Sequence, residues 1–170
     1  MNKNWSTIEV LKHTRHDWLN RIQLIRGNLS LNKIDRVNSI IEEIIIETQN
    51  ESKLTNLKLS SFGTFLMTYN WEARKCRVEF EVLGETRDLS SIDDMITKWC
   101  TQFFEHLEQV SDFTGDNLIA VTIDCSEVES RIFFDYSGII TDVEPLSIWF
   151  EQLKETNPTI QITEFSISDE

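Results

Sequence analysis

The chain has 170 residues, of which 40% are hydrophobic and 26% are charged, a composition typical of a globular protein with one medium-sized domain or two small ones. It has no apolar run of about 18 residues, as a membrane span requires, and its start, MNKNWSTIEV, lacks the pattern of a signal peptide. The three cysteines fit neither a disulfide framework nor a metal knuckle, so we expect buried thiols in a cytoplasmic protein. A net charge of −13 argues against nucleic acid as a partner.

The charge is distributed unevenly along the chain. Residues 1–36 contain seven Lys and Arg residues against three Asp and Glu residues, whereas the rest contains nine basic and 26 acidic residues. The first segment is therefore positive on an otherwise acidic protein, which favours an anionic ligand or an acidic partner surface. A solvated helix face on which basic residues cluster is the alternative explanation.

The first predicted element is an amphipathic helix over residues 5–30. Mostly apolar residues recur along one side of this helix at alternating steps of three and four, which is a heptad spacing. We call this stripe the seam; it consists of Ile8, Leu11, Arg15, Trp18, Ile22, Ile25 and Leu29. His16 lies about 100° around the helix from Arg15, so its imidazole points away from the seam. A histidine there has no packing role and is free to react with a molecule that docks. It shares a polar face with Lys12, His13, Asn20 and Gln23.

A second predicted helix covers residues 34–53 and repeats the heptad seam at Ile34, Val37, Ile41, Ile44 and Thr48. The short link between the two helices places them antiparallel. A two-helix hairpin cannot bury such wide apolar stripes alone. We therefore expect a homodimer in which two hairpins form a four-helix bundle. The alternative is that the hairpin packs against the C-terminal half of its own chain.

The pattern changes near residue 58, so we divide the chain into a helical hairpin domain, 1–58, and a C-terminal α/β domain, 59–170. The predicted elements of the second domain are helices over Phe62–Arg74, Leu89–Val110 and Leu146–Leu153 and strands over Cys76–Leu83, Leu118–Cys125, Arg131–Tyr136 and Ile160–Ile167. The strands come in neighbouring pairs, which predicts an α+β fold with helices on one face of a sheet. The predicted core includes Trp71, Trp99, Phe103, Phe104 and Trp149, and His106 is expected to be semi-buried and hydrogen-bonded.

The run Arg15-His16-Asp17-Trp18-Leu19-Asn20, followed by Gln23, Ile25, Gly27, Leu29, Leu31, Lys33 and Asp35, resembles the phosphoacceptor helix of the sporulation initiation phosphotransferases of endospore-forming bacteria. A related motif occurs in a subset of sensor histidine kinases. The resemblance continues through ESKLTNL, Glu51 to Leu57, and EVLGE, Glu81 to Glu85, and it covers most of the chain. A lone His-Asp pair has no such meaning, but the full spaced string on a helix with a heptad partner is specific.

The resemblance implies that His16 accepts a phosphoryl group from the aspartyl phosphate of one response regulator and passes it to the aspartate of a second. The second regulator is the transcription factor that starts sporulation. The hairpins would dimerise with one His16 exposed on each side. The C-terminal domain would resemble the ATP-binding domain of histidine kinases without its activity. The expected docking residues are Lys12, His13, Arg15, Asp17, Leu19, Asn20 and Gln23.

The residues themselves also argue against a nucleotide site. The segment KWCTQFFEHLEQV has His106 and Glu108 where a kinase would need an asparagine motif, and the candidate loop DYSGII contains one glycine, Gly138. The chain has only five glycines and no phosphate-binding glycine motif. We therefore expect no cofactor on this chain, with Mg²⁺ supplied by the partner regulator. His13 and His16 without a third ligand are weak evidence for a metal site or a second acceptor.

His16 needs no special activation for this reaction, because neutral imidazole is a competent nucleophile near physiological pH and an aspartyl phosphate is a reactive donor. Asp17 and Asn20 are candidates to orient the ring or contact the regulator, although adjacent side chains diverge on a helix, which argues against Asp17. Arg15 and Arg21 are candidates to offset the phosphoryl charge, while the seam position of Arg15 equally suits a structural role. The alternatives to a relay enzyme are an ATP-dependent histidine kinase and a non-catalytic dimeric module that sequesters a regulator.

Overall fold

The computed structural model describes residues 5–126 and 129–156, with only the backbone of residues 154–156. The elements are α1 (Thr7–Ser30), α2 (Ile34–Asn56), α3 (Ser60–Tyr69), β1 (Cys76–Gly84), a 3₁₀ turn (Ser90–Ile92), α4 (Asp93–Val110), β2 (Asn117–Cys125), β3 (Ser130–Ser137) and α5 (Glu144–Thr156). The fold is α+β, as predicted. Within the described ranges, no helix is long and apolar enough to cross a lipid bilayer.

The two long helices form the predicted hairpin. Ser6 begins α1 with a capping box, in which the Glu9 amide donates to Ser6 Oγ at 3.3 Å and the Ser6 amide donates to Glu9 Oε2 at 2.9 Å. The chain reverses over three residues, with Asn32 in the left-handed region at φ 55°. An ion pair between Arg21 of α1 and Glu47 of α2 joins the helices midway along their length.

The C-terminal domain is built on a three-stranded sheet in the order β1-β2-β3. β1 and β2 are parallel and are connected through α4, whereas β2 and β3 are antiparallel. Alternate residues of β2 are buried, which places its apolar face under the helices. The core between sheet and helices includes Phe62, Leu66, Phe104, Ile119, Ile123 and Leu146. The three cysteines are free and buried, as expected.

Side chains satisfy the outer edge of β1. Asn70 bonds both backbone groups of Val78, donating from Nδ2 to the carbonyl at 2.7 Å and accepting from the amide at 2.9 Å. Two residues of α2 do the same for Val82: Asn50 Oδ1 accepts from the amide at 3.2 Å, and Lys53 Nζ donates to the carbonyl at 3.1 Å. Side chains therefore occupy the edge at Val78 and Val82, which hinders strand addition, and the end of α2 is fixed to the sheet.

Several predicted boundaries need correction. The helix predicted over Phe62–Arg74 ends at Tyr69, because Asn70 leaves the helix to bond Val78. The helix predicted from Leu89 begins at Asp93, after the 3₁₀ turn, and the Asp93 carboxylate accepts from the amides of Ser61 and Phe62 at the start of α3. The three strands before residue 140 are confirmed to within one residue at each end. The strand predicted over Ile160–Ile167 lies outside the described residues.

Packing also differs from two expectations for the core. Trp99, Phe103 and Phe104 are buried as predicted, but Trp71 and Trp149 are only half-buried. His106 is half-buried against the Trp149 ring, at 5.0 Å between centroids, yet its Nδ1 atom is buried without a hydrogen-bond partner among the described residues. The expected semi-buried position is confirmed, and the expected hydrogen bond is not made at Nδ1 within the described ranges.

Candidate functional site

His16 lies on the solvent-facing surface of α1, with 72% of its side chain exposed. The heptad seam is one residue before it, at Arg15, and the half-buried Asp17 is one residue after it. Because successive residues of a helix are about 100° apart, the ring lies between the apolar seam and the side of α1 that faces α2. The imidazole is accessible to another protein without any rearrangement of the hairpin.

Two polar side chains meet the His16 ring at the same nitrogen. Asn20 Nδ2 is 3.2 Å from Nδ1, and Asp17 Oδ1 is 3.5 Å from Nδ1. These contacts favour opposite tautomers, because the Asn20 amide donates to a bare Nδ1 and the Asp17 carboxylate accepts from a protonated one. Protonation at Nδ1 leaves a lone pair on Nε2, which is the form needed for nucleophilic attack from that atom. The Asp17 contact therefore favours the tautomer with a lone pair on Nε2, and the shorter Asn20 contact favours the one with a lone pair on Nδ1.

The predicted docking residues are not all in equivalent surroundings. Those whose side chains are exposed around His16 are Lys12, Arg15, Leu19, Asn20 and Gln23. Arg21 is half-buried and pairs with Glu47, so its charge lies toward α2 and away from His16. The same ion cluster includes Glu51 of α2, and burial raises the pKa of its carboxyl group.

His13 belongs to a cluster of three rings that sequence reasoning missed. Its imidazole stacks on the Trp71 indole, with centroids 4.9 Å apart and planes 7° apart. Trp5 meets His13 edge-on at 4.9 Å and Trp71 edge-on at 5.2 Å. The cluster joins α1 to the segment between α3 and β1. The sequence signal was weak, because Trp5 lies outside the predicted heptad seam and Trp71 was assigned to the core.

Most of the apolar seam of the hairpin is open to solvent, with Val37 of α2 as a buried exception. None of the described side chains of α1 is buried. The exposed apolar residues include Ile8 at 79%, Leu11 at 56%, Trp18 at 48% and Ile22 at 55%. In α2, Ile34, Ile41, Ile45 and Ile46 are also exposed. The described part of the C-terminal domain does not cover these stripes.

The two segments considered for nucleotide binding have structural contacts of their own. The Glu108 carboxylate accepts hydrogen bonds from Tyr69 Oη at 3.1 Å and from the amides of Lys75 and Cys76 at 2.9 and 3.0 Å. In the DYSGII loop, a Cβ on Gly138 would lie 2.3 Å from Asn117 Oδ1, and the next amide, Ile139, donates to that same oxygen at 3.1 Å. Among the described residues, no group of three or more His, Cys, Asp or Glu side chains is arranged to hold a metal ion.

Comparison with known proteins gives matches along the whole chain. Residues 1–57 match the alpha-helical domain of SpoOB-type sensor kinases, and residues 58–170 match the C-terminal domain of sporulation initiation phosphotransferase B. The sporulation initiation phosphotransferase B of Bacillus subtilis (strain 168) is 38% identical over 137 residues, which cover 79% of this chain and 71% of that protein. The chain therefore belongs to the sporulation initiation phosphotransferase B family.

Proposed function

We propose that this protein is a cytoplasmic phosphotransferase of a sporulation phosphorelay, and that His16 is its phosphoacceptor. It takes the phosphoryl group from the aspartyl phosphate of one response regulator and gives it to the aspartate of a second. The observation that supports this most directly is the position of His16. Its ring is exposed, lies outside the apolar seam, and has Nδ1 in contact with Asp17 and Asn20.

The chemical step is a displacement at phosphorus. Nε2 of neutral His16 attacks the phosphorus atom, the N–P bond forms, and the bond from phosphorus to the regulator carboxylate oxygen breaks. The proton on Nδ1 stays on the ring, where Asp17 stabilises the cationic phosphoimidazole. Transfer to the second regulator reverses these events on a new carboxylate. Mg²⁺ in the acidic pocket of each regulator offsets the charge on the phosphoryl oxygens.

The docking face consists of the exposed side chains around His16. Lys12 and Arg15 give it positive charge, which suits the acidic pocket of a response regulator. Leu19 is 51% exposed and supplies apolar contact area beside the ring. Asn20 and Gln23 offer hydrogen bonds on the same surface, and His13 supports the face from its place against Trp71. Donor and acceptor regulators meet this one face in turn, because a single histidine serves both.

The exposed seams favour a homodimer. Apolar side chains at heptad spacing on both helices of a hairpin are typical of four-helix bundles made from two hairpins. Pairing two copies through this stripe buries Ile8, Leu11, Trp18 and Ile22, and each buried side chain of this size contributes about 1.5–3 kcal/mol. His16 stays on the outside of such a bundle. The dimer therefore presents two docking faces.

We also propose that ATP is not the source of the phosphoryl group. Glu108 is held by three hydrogen-bond donors of its own domain, and Gly138 allows its loop to pack against Asn117. Both features have a structural explanation that needs no nucleotide. The sequence also lacks the glycine-rich loops that hold a triphosphate. His16 is consequently loaded by another protein.

A phosphotransfer assay tests the proposal. The wild-type protein, His16→Gln and the control Thr14→Ala are each mixed with a purified phosphorylated regulator. We expect wild type and Thr14→Ala to acquire acid-labile, alkali-stable phosphate and to pass it to the second regulator, and His16→Gln to acquire none. Unchanged relay through His16→Gln overturns the proposal. Regulator binding and signalling that survive intact in His16→Gln would instead identify a non-catalytic binding module.

A further inference from the structure

We infer that His13 is a positioning residue for phosphotransfer, acting through its stack on Trp71. This contact fixes the phosphoacceptor helix to the C-terminal domain three residues before His16. The inference rests on the proposed function of His16 and adds a role for the C-terminal domain. That domain holds the docking face in the geometry that a regulator binds.

The cluster is built to be rigid. All three of its rings touch one another, with His13 parallel to Trp71 and Trp5 edge-on to both. The backbone under Trp71 is fixed as well, because its amide donates to the Thr68 carbonyl at 3.1 Å and the preceding Asn70 bonds both backbone groups of Val78. Aromatic pairs in these geometries are attractive beyond the area that they bury. Trp71 is therefore an anchor on the sheet domain.

The two helices of the hairpin differ in how the C-terminal domain holds them. The end of α2 enters the core through Leu54 and Leu57, both fully buried, and Asn50 and Lys53 bond the β1 edge. α1 has no buried side chain to fix it in this way. The ring cluster ties its N-terminal half to the sheet domain. Removing the cluster leaves that half of α1, which includes His16, freer to move.

Movement of this half of α1 would affect regulator binding, because His13 and His16 are close together. His13 precedes His16 by three residues, which is about 4.5 Å along the helix axis and slightly less than one turn. A protein partner covers about 800 Å² on each side of an interface, so a regulator seated on His16 covers this turn too. A surface that must first be ordered binds more weakly, because the ordering cost is subtracted from the binding energy. Loss of the stack should therefore weaken docking and leave the chemistry at Nε2 unchanged.

Kinetics with the purified regulator separate these effects. We expect His13→Ala and Trp71→Ala each to raise KM for the phosphorylated regulator about tenfold, with kcat within twofold of wild type. The double variant should be no worse than either single variant, because both remove one contact. His13→Phe keeps an aromatic ring and should restore KM to within about threefold of wild type. Thr14→Ala, next to His13 on the exposed surface, is the matched control.

Each outcome bears on the inference. A wild-type KM for His13→Ala overturns it, while transfer through His16 in the same assay leaves the proposed function intact. A raised KM for His13→Phe shows that the imidazole itself is needed and overturns the stacking role. A fall in kcat for His13→Phe identifies His13 as a group in the reaction and also overturns it. Thermal unfolding and sedimentation of every variant show whether fold and assembly are kept, and the His13 variants decide the question even if Trp71→Ala does not fold.

Discussion

The hairpin and the C-terminal domain place their apolar side chains in opposite ways. The C-terminal domain buries them between sheet and helices, with Phe62, Phe104 and Ile119 fully enclosed. The hairpin leaves most of them exposed: none of the described side chains of α1 is buried, and those buried in α2 are Val37, Ile40 and Leu54. The first arrangement is that of a domain stabilised by its own core, and the second is typical of surfaces that bind other proteins, as in the proposed dimer. Substitutions in the two regions should therefore have different consequences.

The largest effect is expected for a charge placed on the exposed seam of the hairpin. Ile22→Glu removes one apolar side chain from each half of a symmetric dimer, and each loss costs about 1.5–3 kcal/mol of burial free energy. The dissociation constant of the dimer should therefore rise roughly a thousandfold. Sedimentation equilibrium measures the change. Ser39→Glu, which is exposed on the opposite side of α2, should leave the dimer intact. A dimer that tolerates Ile22→Glu contradicts the proposed bundle.

A smaller effect is expected at the His16 ring. Asn20→Ala removes the 3.2 Å contact to Nδ1 and should lower the transfer rate at saturating regulator about tenfold, because the orientation of the ring is less well fixed. Gln23→Ala alters only the docking surface, so its effect should be on KM. Single-turnover kinetics separate the two. If Asn20→Ala changes KM alone, its role is docking and the ring is oriented by other means.

In the C-terminal domain, we expect changes in stability with little change in assembly. Asn70→Ala leaves the amide and carbonyl of Val78 without their side-chain partner and should lower the free energy of unfolding by about 1–3 kcal/mol. Urea unfolding followed by circular dichroism measures this loss. Asn38→Ala, on the exposed surface of α2, serves as the control and should cause no loss. Equal stability of the two variants would mean that water replaces Asn70 at the strand edge.

The smallest effect is expected at Tyr69, with a characteristic dependence on pH. Burial and the neighbouring Glu108 carboxylate raise the pKa of Tyr69 above its ordinary value of about 10. Because the folded state holds this proton more tightly than the unfolded state, the stabilisation is present below pH 10 and is lost as the pH rises further. Tyr69→Phe should cost about 1 kcal/mol at pH 8.

The Tyr69 variant should also show a shallower alkaline decline than wild type. The decline that remains belongs partly to Tyr136, whose pKa is also raised by burial. Unfolding curves at pH 8 and at about pH 10.5 measure both quantities. Identical slopes for wild type and Tyr69→Phe would rule out Tyr69 as a source of the pH dependence.

Periodic features were predictable from the sequence because they arise within one element. The heptad seams identified both long helices, and alternation identified β1, β2 and β3. The position of His16 outside the seam followed from helix geometry alone. Gly84 lies in the EVLGE run that contributes to the family resemblance, and the fold requires a glycine at this position. It has φ 77°, and a Cβ there would lie 2.0 Å from the Cys125 carbonyl oxygen.

Contacts between distant residues were not predictable, because no local pattern specifies them. The end of α3 depends on Asn70 reaching β1, and its start depends on the Asp93 carboxylate of α4. The stack of His13 on Trp71 joins two segments that sequence reasoning assigned to separate domains. Such contacts determine the boundaries and the surroundings of the site, whereas periodicity determines the elements themselves.

The source of the phosphoryl group on His16 is the most direct test of the proposed relay. The protein is incubated either with labelled ATP and Mg²⁺ alone or with a labelled, kinase-free phosphorylated regulator, and acid-labile phosphate on His16 is measured. We predict label from the regulator and none from ATP. Label from ATP alone would contradict the account and identify the protein as a histidine kinase.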